Sequence, residues 1–290
     1  MIYSHCSISS KPSAQGCPFH KLSPPGLSLR GHRATLQSKT SLCRSYFHSE
    51  NDIPPTLRDD WREFRARLVK NDYVQREQCN FGLQSKGVGL KTIYWSHPTQ
   101  ILEKGCVLLS NSKTSFDDPS CNEMFYKSVI LVVDYTPGGA AMGILLNRPT
   151  SSLIGRRHGN MPPSVLALHP SMRSAFRDNR LFRGGPTDSN FLTVLHGRSD
   201  VQRSTEIIPG VFVGGLDSAA SLVREGVVSP EEFRFFEGIV FWAPGELDEQ
   251  VNQGLWNLSA CSRHLILRDA LDLRAPLWIE IQERMGAWGG

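Results

Sequence analysis

The 290-residue sequence has no long apolar run; the longest are about five residues, Val129–Val133 and Ile239–Ala243. A helix that crosses a bilayer needs about 20, so no membrane partner is expected. Closely spaced cysteines are also missing. Of the seven, Cys6, Cys17 and Cys43 lie in the first 49 residues. Cys79, Cys106, Cys121 and Cys261 stand at least fifteen apart. That excludes a C-x-x-C redox pair and a zinc ribbon, and leaves plain buried thiols. No H-E-x-x-H is present, and His158, His169, His196 and His264 are isolated from one another. No metal and no cofactor is expected. Ser128 lacks a G-x-S-x-G elbow.

Acid is absent from residues 1–49, which hold eleven serines and six basic residues (Lys11, Lys21, Arg30, Arg33, Lys39, Arg44). A Ser- and Arg-rich segment without acid reads as an organelle transit peptide. The absence of an apolar block disfavours a secretory signal. Abundant serine with modest arginine leans toward the chloroplast, with a mitochondrion as the other destination, and cleavage is expected near residues 43–50. A disordered tail that stays attached is the alternative. The formal charge is +4 overall, but beyond residue 49 the chain carries 26 basic against 28 acidic residues. A mature net charge of −2 disfavours a general nucleic-acid role, which needs a positive face.

What remains is ordinary globular composition, 40% hydrophobic and 21% charged, with length for one or two domains. Residues 50–95 read as a helical extension and linker. Thr56–Asp59 fits a capping box, and Trp61, Phe64 and Leu68 make an apolar stripe. Residues 96–290 form the main domain. Cys106–Leu109 is a first strand; Ser128–Val133 and Met142–Asn147 form a hairpin around Thr136-Pro137-Gly138-Gly139. Further strands are expected at Phe191–His196, Val211–Val213 and Gly238–Trp242. Helices are expected at Ser218–Arg224, from Ser229-Pro230, at Glu246–Trp256 and at Leu277–Met285. Strands and helices without strict alternation favour an α+β fold with a mixed or antiparallel β-sheet flanked by helices.

Chemistry is sparse. Cys261 and His264 share a helix face only if both are helical. Residues 151–180 carry Arg156, Arg157, Arg173, Arg177 and Arg180 against one Asp, reading as a solvated surface insertion or, more sharply, an anion site. Gly184-Gly185-Pro186 reads as a tight bend. Asn147-Arg148-Pro149 ends a strand with a polar contact or a surface ion pair.

Taken in order, Phe125–Leu131, Ala141–Pro149, Gly184-Gly185-Pro186 and Phe241–Glu249 resemble the AlgH/YqgE family over about residues 100–286. Trp256, Ala260-Cys261-Ser262 and Leu277-Trp278 look like its plant-lineage members. The resemblance implies an AlgH-like fold with a coiled, mixed sheet, and it fits a plastid address. It brings no mechanism and no catalytic residues. Where the family has Gly-Gln-Leu, this chain reads Gly245-Glu246-Leu247.

Three functions follow from this reading. The first is a non-enzymatic regulatory or binding protein of the chloroplast stroma, with a protein or small anionic ligand as partner. The second is an enzyme of unknown class, its pocket formed where Asn147, Arg148, Gly184, Gly185, Trp242 and Glu246 converge at strand ends. The third is a nucleic-acid or transcription-related regulator acting through the Arg-rich segment.

Overall fold

Alternating side chains in β3 (Val129–Tyr135) set the layers. Val129, Leu131 and Val133 enter one core, while Ile130 and Val132 enter another on the opposite face. The computed structural model describes residues 62–66, 68, 93–111, 123–155, 162–269 and 275–286. The expected leader, Trp61, Cys79, Cys121, His158, Arg156 and Arg157 lie outside these residues. Residues 59–290 form one compact unit, which includes the helical residues 62–66 and 68.

Among the described residues ten further strands join β3 in one sheet. They are β1 (Ser96–Pro98), β2 (Val107–Ser110), β4 (Ala141–Leu145), β5 (Pro149–Leu153), β6 (Arg180–Arg183), β7 (Thr187–His196), β8 (Ser204–Ile208), β9 (Val211–Gly214), β10 (Arg234–Trp242) and β11 (Trp256–Cys261). Their order is β1-β11-β2-β3-β4-β10-β7-β9-β8, with β5 and β6 on a branch from β10. The β6–β10 pair is parallel and the other pairs are antiparallel. The fold is therefore α+β around a mixed, mostly antiparallel sheet, as the pattern of elements predicts.

The sheet curls until its last strand meets the turn before β2. Lys104 Nζ donates to the Glu206 carbonyl at 3.0 Å. Gly105, at φ +86°, lies so close to Ile208 that a Cβ there would collide with it. Val107 and Leu109 from one side of the curl share a core with Ile208 and Val211 from the other.

β10 changes partners halfway. Its first half pairs with β6 and β7, and its second with β4. Gly238 marks the change at φ +73°, where the ladder to β7 shifts register. The extra residue turns Val240 and Trp242 to the core on the other side of β4, while Phe236 and Ile239 stay in the inner one. Gly185 passes against this point. A Cβ on it would strike the Ile239 backbone, so the bend expected at Gly184-Gly185 is a backbone crossing.

Among the described residues six α-helices cover the sheet, besides the helical residues 62–66 and 68. α1 (Pro163–Leu166), α2 (Pro170–Ala175) and α3 (Leu216–Arg224) close the core around Phe176, Phe233 and Phe235. α4 (Glu246–Asn252) buries Leu247 against Trp242 and Trp256. α5 (Arg263–Leu267) and α6 (Leu277–Gly286) seal the inner core with Leu265, Ile266, Leu277, Trp278 and Ile281.

Several expectations need correction. The described part of 151–180 is no solvated insertion: Ile154, Val165 and Phe176 are fully buried, each contributing about 2 kcal/mol of burial. The helix expected from Ser229 is a single 3-10 turn, Pro230–Glu232, despite its complete capping box. Phe233 turns extended at φ −114°, because it and Phe235 are buried in the β10 core. In the N-terminal helical residues the buried face is Arg62 and Ala66, and Leu68 is 48% exposed, so the expected stripe does not point inward. The Trp95 carbonyl accepts from the Ser262 N–H at 2.9 Å and the Trp95 N–H donates to Ser262 Oγ at 3.3 Å, which ties the end of the expected linker to α5.

Candidate functional site

The six residues singled out from the sequence fall into three places. Asn147 lies two residues beyond the end of β4 at Leu145. Its Oδ1 accepts from the Val129 N–H at 3.0 Å, and its Nδ2 donates to the Lys127 carbonyl at 2.8 Å. One amide thus clamps the entry to β3. Arg148 donates from Nη1 to the Asn147 carbonyl at 3.1 Å and from Nη2 to the Tyr126 carbonyl. Burial alone shifts the Arg148 pKa, downward. The expected surface ion pair is not what Arg148 makes: both partners are carbonyls.

Gly184 donates to the Glu237 carbonyl at 2.6 Å and accepts from the Leu145 N–H at 2.8 Å. With Gly185 it joins β4 to β10 and presents no side-chain chemistry.

Trp242 and Glu246 stand at the far end of β4. Trp242 pairs with Ala141, so about six residues of extended chain, roughly 20 Å, separate it from Asn147. The six residues therefore do not converge on one pocket. Glu246 Oε2 accepts from the Ala243 N–H at 2.8 Å, and Oε1 accepts from Gln250 Nε2 at 3.2 Å. Gln250 Oε1 in turn accepts from the Trp242 indole at 3.0 Å and from the Trp256 indole at 2.8 Å. The two indoles meet edge to face at 6.4 Å. Beside them Tyr135 donates to Asp248 at 2.6 Å, and burial, followed by that bond, pushes its phenol up to about 12. Gln250 escaped the sequence reading, although its i+4 spacing from Glu246 was a usable signal.

Both described thiols, His97 and His196 are sealed in the interior, whereas His169 and His264 are exposed. Cys106 and Cys261 are buried free thiols in different cores, and burial pushes each up to about 12. Cys261 ends β11 whereas His264 lies in α5, so the expected shared helix face does not exist. His97, which the sequence reading passed over, stacks on Trp95 at 5.7 Å. His196 lies between Phe212 and Phe233, and its Nδ1 accepts from the Arg198 N–H at 3.2 Å. Burial lowers the pKa of both imidazoles. No cluster of three metal-ligating side chains occurs among the described residues. No described helix is long and apolar enough to cross a membrane.

A further group gathers at the Asn147 end. Arg234 is buried between Phe182 and Phe236, its guanidinium carbon 4.7 and 5.1 Å from their centroids. It donates to the Leu146 and Ile266 carbonyls, each at 3.1 Å. Burial lowers its pKa to about 10, and Asp269 opposes that shift. Lys127 Nζ lies 5.3 Å from the Tyr126 centroid and 5.5 Å from that of Trp278. None of these contacts has a local sequence signature.

A sheet curled on itself, with a Gly-Gly crossing beneath a bulged central strand, defines a protein class by its packing and not by a catalytic constellation. A family model described as DUF179, AlgH-like, matches residues 110–288, and the chain belongs to that family. A UPF0301 protein of Chlorobium phaeobacteroides is 31% identical over 150 residues, covering 51% of this chain and 73% of the relative. A UPF0301 protein of Chlamydia muridarum is 30% identical over 194 residues, covering 65% and 90%. Among solved structures, protein DIP2367 of Corynebacterium diphtheriae aligns with a TM-score of 0.46 at 18% identity, covering 62% of this chain and 86% of that one. The AlgH protein of Pseudomonas aeruginosa aligns at 0.43 and 16% identity, covering 69% and 90%.

Proposed function

We propose that this AlgH-like chain is a non-enzymatic binding or regulatory protein of the chloroplast stroma, whose partner is a protein or a small anionic ligand. The observation that carries the reading is the state of its reactive groups. Both described thiols are sealed in the cores and held protonated far above neutral pH. Two histidines are fully buried among aromatic rings. A nucleophile needs a base within reach and access to substrate, and these groups have neither. The acid-free, serine-rich first 49 residues support the plastid address. The net charge of −2 beyond residue 49 argues against nucleic acid.

The test combines capture and turnover. Tagged protein recovered from stroma is expected to bring down the same partner or metabolite reproducibly, while the purified chain converts nothing in an untargeted metabolite incubation. Turnover of any compound without a reproducible partner overturns the reading. Mass spectrometry of the plastid-isolated protein is expected to find a mature N-terminus near residues 43–50; an intact Met1 removes the plastid part.

A further inference from the structure

Three cations at one end of the inner core are fastened to a single short segment. Arg234 donates to the carbonyl of Leu146, Arg148 donates to that of Asn147, and the Asn147 side chain holds the carbonyl of Lys127. Arg148 also reaches the Tyr126 carbonyl, which locks residues 126–127 against 147–148. These bonds bring the Lys127 backbone and the Arg148 and Arg234 guanidiniums to one segment and leave the charges intact, since a carbonyl carries no neutralising charge. Among the described residues no carboxylate lies within ion-pair distance of any of them. Asp269 acts on Arg234 with opposite charge.

Lys127 differs from an ordinary solvated lysine in two respects. Its backbone is left-handed at φ +49°. Its ammonium lies near two aromatic rings, one of them anchored where the Trp278 indole donates to the Ser110 carbonyl at 3.1 Å. The three N–H donors of that ammonium have no oxygen partner among the described residues. Arg148 offers five donors, of which two are engaged.

We infer that Lys127 and Arg148 form a binding site for the oxyanion of a small molecule, a phosphate or a carboxylate, with buried Arg234 adding a fixed positive field behind them. An oxyanion takes charge-assisted hydrogen bonds from such donors. The inference rests on the binding-protein reading above and gives it a ligand chemistry.

Thermal unfolding of the full-length chain tests it, with inorganic phosphate and acetate as probes against chloride at equal ionic strength. Phosphate, acetate or both are expected to raise the midpoint by about 2–4 °C and to saturate. A response to phosphate alone assigns phosphate esters as the class, and a response to acetate alone assigns carboxylates. Lys127→Gln is expected to weaken the apparent affinity about tenfold, the loss of one charged donor. Arg148→Gln serves as the second variant, and Arg177→Gln, on an exposed site in the basic segment, is expected to leave the response unchanged. No rise beyond chloride overturns the site, as does a rise that both Lys127→Gln and Arg148→Gln leave intact. Such a failure leaves the stromal capture result standing. Turnover of a metabolite would instead sink the non-enzymatic reading and leave the oxyanion response standing.

Discussion

The two ends of β4 carry polar groups of opposite habit. At the Ala141 end, Glu246, Gln250, Trp242 and Trp256 satisfy one another through side chains, and Asp248 takes the Tyr135 hydroxyl. At the Leu145 end, Arg148 and Arg234 donate to carbonyls, and Lys127 and Arg234 lie over aromatic rings. The first network is closed: each donor has an acceptor inside the chain, and what it gains is a unique arrangement of two tryptophans. The second is fastened in place but keeps its charge. Partners for donors fix geometry, whereas partners of opposite sign neutralise. A carbonyl supplies the first without the second, so the Leu145 end is the one able to answer an external anion.

The largest expected effect breaks the cationic end. Arg234→Ala removes a buried guanidinium stacked between two phenylalanines and orphans two carbonyls. A loss of about 3–5 kcal/mol in urea unfolding is expected. A loss below about 1 kcal/mol would mean that Arg234 is not part of the frame. Next, Gln250→Leu breaks the closed end. Two indole N–H groups lose their acceptor, and the expected loss is about 2–4 kcal/mol. Glu246→Gln at the same end is expected to lose about 1 kcal/mol, because the amide oxygen still accepts from the Ala243 N–H while the acceptor for Gln250 Nε2 is lost. An equal loss for Glu246→Gln and Gln250→Leu would show that the carboxylate charge, and not the acceptor, holds the tryptophans.

The closed end was partly legible in the sequence and the cationic end was not. Leu247 and Val251 at helical spacing, after Gly245, announced α4, and Pro276 with Gly286 bracketed α6. The β3–β4 hairpin was written in its apolar run and its Pro-Gly-Gly turn. Local signals failed where a distant contact decided the outcome. Ser229 to Glu232 has every feature of a helix start, yet Phe233 and Phe235 gain more by entering the core as strand residues. Arg234 reaches a carbonyl 88 positions away, and Trp278 reaches one 168 positions away. No window of neighbouring residues contains such a pairing. Of the proposed site, Asn147 and Arg148 were singled out as a strand end, but Lys127 was hidden inside what read as the approach to a strand.

A smaller effect separates the two ends by pH. His97, His196 and His264 have pKa values lowered from 6.5, chiefly by burial. The unfolded chain therefore binds more protons, and stability falls as pH drops through 6.5 toward the lower folded values. Unfolding midpoints measured from pH 7.5 to 5 are expected to decline, with a shallower slope in His196→Gln. His196 packs on Phe233 beside Arg234, at the other end of β10 from Trp242, so the Gln250→Leu difference is expected to hold across this pH range. A difference that changes with pH would tie the tryptophan network to a titrating group.

The smallest effect is the most discriminating, because one substitution moves two readouts in opposite directions. Lys127 carries a side chain at φ +49°, a conformation that glycine adopts with about 1–2 kcal/mol less strain. Glycine also loses about 0.5–1 kcal/mol to added freedom in the unfolded chain. Lys127→Gly is therefore expected to stabilise the protein by about 0.5 kcal/mol net, seen as a slightly higher urea midpoint at unchanged slope. It removes the free ammonium at the same time, so the response to phosphate or acetate is expected to fall. If Lys127 served only to stack on Tyr126 and Trp278, stability would drop and the anion response would be untouched. A gain in stability with a lost anion response leaves the lysine one role, the oxyanion, at a position where the backbone favours glycine.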